Sequence, residues 1–386
     1  MRQAMEKRLE FSQTFFAAFV DFKQAFDSVF RPALWELLAY YEVSARTIRL
    51  VKDLLNGCES CVRVNGELTP SFPVESGVRQ GCPLSPTIFN VAMNWLAGKV
   101  QEAAGMTNDR VELGEVELDT FEYADDMVIL SETIGSLQLL LNLLADESAA
   151  LGMQINAEKT NLMEATRGEP NDPPVVSLQG KQLEWVPSFK YLGSVIAKDG
   201  SMDEEIGRRI GCAASVFAGL QKAVWSRREL LLRTKLHIYQ ACVLSILLYG
   251  AETWNLTESQ SKRLAVFDRK RRRQILKIRW QQHVRNDAVY EKTAQVSPVP
   301  LLLKRARLRW WGHCKRMPPE RLPKKVMEAE VVGLRPRGRP RQRWIQNIFD
   351  DLASVDLTME EAEERYFPPD HPPHRTRWRA LVRGAT

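Results

Sequence analysis

Phe121-Glu122-Tyr123-Ala124-Asp125-Asp126-Met127-Val128-Ile129-Leu130 sets two adjacent carboxylates between two short runs of β character. Residues 116–122 and 127–131 both read as strands, so the aspartates fall on the tight turn between them. Burying two like charges side by side is unfavourable unless a cation neutralises them. Magnesium takes oxygen ligands and keeps several waters, which suits a few carboxylates plus substrate phosphates. A third carboxylate, Asp21, stands where the apolar run Phe15–Val20 ends. Three carboxylates suit two divalent ions about 4 Å apart, the arrangement used for in-line phosphoryl displacement. Taken alone, the four residues Tyr123-Ala124-Asp125-Asp126 read equally well as a solvated turn.

Outward from this turn the pattern is mixed. Residues 15–22 read as a buried strand ending at Asp21, followed by helices near 32–41 and 45–56. A hairpin turns at Asn65-Gly66. Pro83, Ser85 and Pro86 open a helix to about residue 100, and a Leu-rich amphipathic helix runs over 135–151. Short strands are expected at 161–164, 175–178 and 189–195. This first part is therefore α+β, an antiparallel sheet with helices. After Asp203 the pattern is almost all helix, over 203–224, 229–249 and 258–279. The last of these is very basic, with Arg269, Lys270, Arg271, Arg272 and Arg273. The block 304–315 carries Trp310 and Trp311 among basic residues, and a short amphipathic helix is expected over 342–352.

The 386 residues carry a net charge of +6, and 44% of them are hydrophobic, enough for a globular chain of two or three domains. The charge is uneven. Residues 301–344 hold 14 Lys and Arg against 3 Glu, a net of +11 that leaves −5 for the rest. A basic segment on a mildly acidic body points to a polyanionic partner, with a solvated linker as the bland alternative. Six cysteines are scattered, and only Cys58 and Cys61 have metal-like spacing. No second Cys/His pair follows, so ordinary thiols in a reducing, intracellular compartment are expected. No signal peptide or membrane-spanning stretch is evident, so nucleus or cytoplasm is expected, without a membrane partner.

Several further blocks, in order, make the chain resemble the reverse transcriptases of non-LTR (LINE-type) retrotransposons. Phe19-Val20-Asp21-Phe22-Lys23-Gln24-Ala25-Phe26-Asp27-Ser28 resembles that family's first palm motif. The resemblance implies that Asp21 is a metal ligand and that Phe26 crowds the sugar 2′ position, favouring deoxynucleotides. Without the motif, Phe26 reads as a core aromatic. Gly77-Val78-Arg79-Gln80-Gly81-Cys82-Pro83-Leu84-Ser85-Pro86 resembles the second block, and implies that Gln80 contacts nucleotide or template. The opening decapeptide resembles the metal-binding hairpin. Phe22, Gly81 and Tyr123 join Phe26 and Gln80 as implied substrate contacts. Gly152-Met153-Gln154-Ile155-Asn156-Ala157-Glu158-Lys159-Thr160 resembles the fourth block. It implies that Lys159 lies near the triphosphate and protonates the leaving pyrophosphate, against the alternative of a surface lysine. Phe189-Lys190-Tyr191-Leu192-Gly193 resembles the block that grips the primer terminus, which implies nucleic-acid contact for Lys190.

The resemblance thus implies a polymerase palm with partial fingers over 1–196, a helical thumb or connection over 197–300, and a basic nucleic-acid-binding tail over 301–386. The catalytic set is Asp21, Asp125, Asp126 and Lys159. The cofactor is two Mg²⁺ ions, with Mn²⁺ as a substitute. The partners are an RNA template, a DNA primer and dNTPs. The start of the chain resembles a stretch well inside the polymerase domain, which implies that most of the fingers and the upstream endonuclease are missing. A non-catalytic nucleic-acid-binding remnant is therefore the rival expectation. Pro336-Arg337-Gly338-Arg339-Pro340 has the pattern of an AT-hook core suited to a narrow A·T minor groove, and reads equally as a proline-rich linker. Trp310 and Trp311 read either as base-stacking groups or as a core pair.

Overall fold

The computed structural model describes residues 1–168, 174–338, 341–368 and 374–384. The chain forms two compact units, one of Ser12–Leu192 and one of Met1–Phe11 with Gly193–Thr386. The architecture is α+β.

In the unit Ser12–Leu192 a five-stranded sheet is built from β1 (Phe15–Val20), β2 (Thr120–Tyr123), β3 (Asp126–Ser131), β4 (Asn161–Ala165) and β5 (Glu184–Trp185). The spatial order is β5-β4-β1-β3-β2. β1 runs antiparallel to both β3 and β4, while β5 joins β4 in parallel. The run Phe-Phe-Ala-Ala-Phe-Val shows no polar alternation because both faces of β1 are covered. On one face Ala18, Val20, Met127, Ile129 and Leu162 share a core with helices α1 (Ser85–Thr107) and α2 (Ile134–Ala150). Those helices contribute Phe89, Met93, Leu96, Leu137, Leu141 and Leu144. On the other face Ala17, Phe19, Val128, Leu130 and Met163 are equally buried. There Phe19 stacks on Phe189 at 4.2 Å between ring centroids.

Local chemistry explains most element ends. The Thr133 hydroxyl caps α2 by accepting from the Ser136 N–H. Asn65 and Gly66 both take positive φ between the paired residues Arg63–Val64 and Glu67–Leu68, the hairpin their sequence predicts. Four expected elements are altered by packing. The strand expected over 15–22 stops at Val20, and Phe22–Lys23 pairs with Gln154–Ile155 in a separate two-stranded sheet. The strand expected over 116–122 breaks at Asp119, so Val116–Leu118 pairs with Val111–Leu113 and only the second half joins the main sheet. α1 runs on to Thr107, because Val100 and Ala104 are buried and extend its apolar face. The strand expected over 189–195 is interrupted where Leu192 and Gly193 take positive φ.

The other unit is helical. The expected helix over 229–249 is split into Leu232–Ile238, a π-turn at Tyr239–Leu244 and Ser245–Leu247. Its cores gather around α3 (Glu258–Ile275), α4 (Val299–Lys315) and α5 (Trp344–Ala353). Arg272 of the basic run is fully buried. Its Nε donates to Asp268 at 2.8 Å, Nη1 to Thr293 Oγ1 at 2.8 Å and to Val296 O at 2.9 Å, and Nη2 to Ser297 O at 2.8 Å. Arg307 donates twice to Asp351, at 2.7 and 2.8 Å. Trp311 is buried with Trp344 and Trp378, so of the two readings of this tryptophan the core applies. Cys314 lies in the same region, its thiol pushed up to about 12 by burial and then by the Glu328 charge. No helix among the described residues is long and apolar enough to cross a membrane.

The loop that leads into α1 is fixed at Gly77. Its N–H donates to Val29 O at 2.8 Å, and its carbonyl accepts from Arg31 Nε at 2.9 Å. Gly77 has φ +69°, and a Cβ there would sit 2.6 Å from the backbone of Asp27. Gly77→Ala is therefore expected to cost about 2–4 kcal/mol through strain and clash together. A urea titration followed by circular dichroism checks this, and an unchanged midpoint contradicts it.

Candidate active site

The β1–β3 register builds the site. Val20 lies opposite Met127, so Asp21, one residue on, reaches the end of the sheet where Asp126 begins β3. Tyr123 and Asp126 pair across the turn, leaving Ala124 and Asp125 at its tip. Ala124 takes φ 55°, a left-handed conformation that costs a non-glycine residue about 1–2 kcal/mol. The Asp126 carboxyl is held above its ordinary range by burial, then by the charges of Asp125 and Asp21. The three aspartates therefore share one electrostatic neighbourhood.

Asp21 is fastened on three sides. Its carbonyl accepts from the Asn156 N–H at 2.7 Å, and its own N–H donates to Thr160 Oγ1 at 3.3 Å. Asn156 Nδ2 donates to the carboxylate at 3.2 Å. Tyr191 borders the same group of charges. Its phenol is pushed well up by burial, then by Asp126 and Glu122. Glu122, opposite Met127, is itself raised by burial, with a smaller push from Asp119. Asn156, Thr160, Tyr191 and Glu122 carry no role in the sequence reading. All four lie inside the quoted blocks, but only tertiary pairing shows which way their side chains face.

The donor set is hard oxygen, which is chemically suited to a divalent cation with waters and phosphates completing its shell. Among the described residues, however, no three His, Cys, Asp or Glu side chains close tightly enough to hold a metal ion. The aspartates are electrostatic neighbours facing solvent rather than a finished ligand cage.

The other expected residues are placed as follows. Phe26 is half-buried and stacks on Phe89 of α1 at 4.1 Å and 20°. Phe22 is buried in the core, its backbone paired with Ile155. Gln80 is exposed, and its Nε2 donates to both carboxylate oxygens of Asp27, at 2.9 and 3.0 Å. Gly81 is exposed with φ +83°. Tyr123 is 66% exposed at the hairpin. Lys159 is exposed, and its backbone N–H donates to Asn156 O at 3.1 Å. Lys190 is exposed between Phe189 and Tyr191, both of which contact the Phe19 ring. In the other unit Arg337 and Gly338 are exposed, whereas Arg339 and Pro340 lie outside the described residues.

Residues 6–196 match the family of reverse transcriptases (RNA-dependent DNA polymerases), and the chain belongs to that family. Its relatives are proteins of non-LTR retrotransposons. It is 26% identical over 349 residues to the RNA-directed DNA polymerase from mobile element jockey of Drosophila melanogaster, covering 88% of this chain and 36% of that one. It is 25% identical over 235 residues to the Pol polyprotein from the type-2 retrotransposable element R2DM of the same organism, covering 58% and 22%. The chain thus spans little more than a third of the length of these relatives, or less. Among solved structures, apo telomerase from Candida tropicalis aligns over 98% of this chain and 55% of that one, at 11% identity and a TM-score of 0.42.

The crowded charges give a pH prediction. Because Asp126 binds its proton more tightly in the folded state, stability falls as pH rises from about 4, the unfolded value, through the raised folded one. Asp126→Asn removes that loss. In chelating buffer at pH 7 the variant is expected to melt above wild type, and the gap is expected to close below about pH 4. Thermal melts at both pH values check this. A variant less stable than wild type at pH 7 contradicts it.

Proposed function

We propose that this chain carries the palm of an RNA-directed DNA polymerase, which extends a DNA primer 3′ end on an RNA template using dNTPs. The observation that carries this reading is the strand register that brings Asp21, at the end of β1, to the hairpin bearing Asp125 and Asp126. Membership of the reverse transcriptases and the likeness to the RNA-directed DNA polymerase from mobile element jockey support it. In this reading residues 1–196 form the palm with partial fingers, 197–300 the thumb or connection, and 301–386 the basic tail. Exposed Arg337 and Gly338 support contact of that tail with A·T-rich duplex DNA.

Asp21, Asp125 and Asp126 are the residues that would hold divalent ions, Mg²⁺ in this proposal with Mn²⁺ as a substitute, once their carboxylates draw closer than they stand here. When bound, these ions lower the pKa of the primer 3′-hydroxyl and offset charge on the leaving pyrophosphate. The chain's own groups do the rest. Asn156 and Thr160 keep Asp21 in register with the hairpin. Gln80, its amide nitrogen engaged by Asp27, presents its carbonyl oxygen to nucleotide or template. Lys159 gives a proton to pyrophosphate, Lys190 meets the primer strand, and Gly81 and Tyr123 border the nucleotide, whereas Phe22 lies in the core rather than at the nucleotide. Phe26, fixed against Phe89, denies space to a ribose 2′-hydroxyl.

Primer extension tests the reading. Purified protein with primed RNA, dNTPs and Mg²⁺ is expected to lengthen the primer. Asp125→Asn and Asp126→Asn are each expected to reduce extension by at least a hundredfold, on the order of lost electrostatic stabilisation of the transition state. No extension by wild type, or equal extension by the variants, overturns the proposal. For sugar selection, Phe26→Ala is expected to raise ribonucleotide incorporation relative to deoxynucleotide by about tenfold or more. An unchanged ratio in single-nucleotide assays removes Phe26 from that role.

A further inference from the structure

A second feature lies in the helical unit, outside the carboxylate site and outside the basic segment 301–344. The exposed face of α3 carries Val266, Arg269, Lys270, Arg273 and Gln274, at helical spacing. The opposite face buries Leu264, Asp268, Arg272 and Ile275. The chain then turns back across the exposed face, and together they enclose a groove of about 500 Å³ completed by Ile278, Arg279, Trp280, His283, Val284 and Asn286.

Three properties of this groove point to one kind of ligand. Four of its lining residues are Lys or Arg and none is Asp or Glu, so it attracts anions. Trp280 is 79% exposed, although an indole gains much by burial. His283 stands beside it at right angles, with ring centroids 6.3 Å apart at 89°. The platform is also held in place from behind. Arg273 Nη2 donates to Val284 O and to Asn286 Oδ1, both at 2.9 Å, tying the turn to the helix. Gln282 Oε1 accepts from the Arg279 N–H at 2.8 Å and closes the turn that displays Trp280.

We infer that this groove is a binding site for single-stranded nucleic acid, with a base stacked on Trp280 and backbone phosphates on Lys270 and Arg279. An exposed π-face flanked by cations is the combination that holds unpaired bases without regard to sequence. A duplex keeps its base faces covered and offers nothing to the indole. An acidic peptide would satisfy the cations but leave the ring without a use. The inference does not depend on polymerase activity.

The test uses the full chain and fluorescein-labelled oligouridylate, with oligothymidylate and a hairpin duplex as separate arms. Anisotropy is expected to show tighter binding of the single strands than of the duplex. Trp280→Ala is expected to weaken single-strand binding by about tenfold, while Trp280→Phe retains most of it. Lys270→Gln with Arg279→Gln is expected to reduce the slope of log affinity against log salt by about 1.4. Photocrosslinking with 5-bromouridine is expected to mark the peptide that contains Trp280. All three residues changed, Trp280, Lys270 and Arg279, are at the surface, so a lost signal reports binding rather than folding. Unchanged affinity of Trp280→Ala, a crosslink confined to other peptides, or equal displacement by polyglutamate overturns the site. Failure of primer extension leaves these results standing, so the two proposals fail separately.

Discussion

Mutual repulsion among Asp21, Asp125 and Asp126 is the constraint around which the Ser12–Leu192 unit is arranged. Left to themselves, three like charges move apart. Here they stay together because the backbone beneath them has no freedom to separate. β1 is paired on both edges and buried on both faces, so Asp21 cannot withdraw without breaking the centre of the sheet. The hairpin fixes the other two through paired Tyr123 and Asp126, at the cost of a left-handed Ala124. Burial, then the charges of Asp125 and Asp21, holds the Asp126 carboxyl above its ordinary range.

Support for that arrangement comes from segments distant in sequence. Asn156 and Thr160 reach Asp21 from beyond α2, and Arg31 fixes the loop before α1 by donating to Gly77, Ser76 and Leu55 carbonyls. The same loop delivers Gln80, whose amide is oriented by Asp27 a few residues beyond Asp21. The buried Arg31 guanidinium thus satisfies carbonyls that the loop leaves without strand partners, a polar solution to irregular backbone.

The basic residues of the helical unit divide by burial into two roles. Arg272 and Arg307 are internal struts, each paired with an aspartate and hydrogen-bonded where a bare charge is expensive. Lys270 and Arg279 stay on the surface beside an open tryptophan. A count of positive charge along the chain treats these groups alike. The interior ones are engaged by internal carboxylates and carbonyls, and only the surface ones remain for a polyanion.

How much was legible in the sequence follows from which forces are local. The Asp125-Asp126 turn, the capped helices and the Asn65-Gly66 hairpin depend on neighbouring residues, and the residue pattern predicts them directly. The ordered blocks point to the reverse-transcriptase family for the same reason, because each is a contiguous string. The sequence alone did not indicate that Phe22–Lys23 pairs apart from the main sheet or that a strand breaks at Asp119, since both depend on which distant strand supplies the hydrogen bonds. Nor did it show that Asn156, Thr160 and Tyr191 surround the aspartates, or that Trp311 is buried while Trp280 is exposed. Side-chain direction and burial are set by contacts across tens to hundreds of residues. The sequence therefore determined the chemistry available to this protein, and tertiary packing decided which groups face one another to use it.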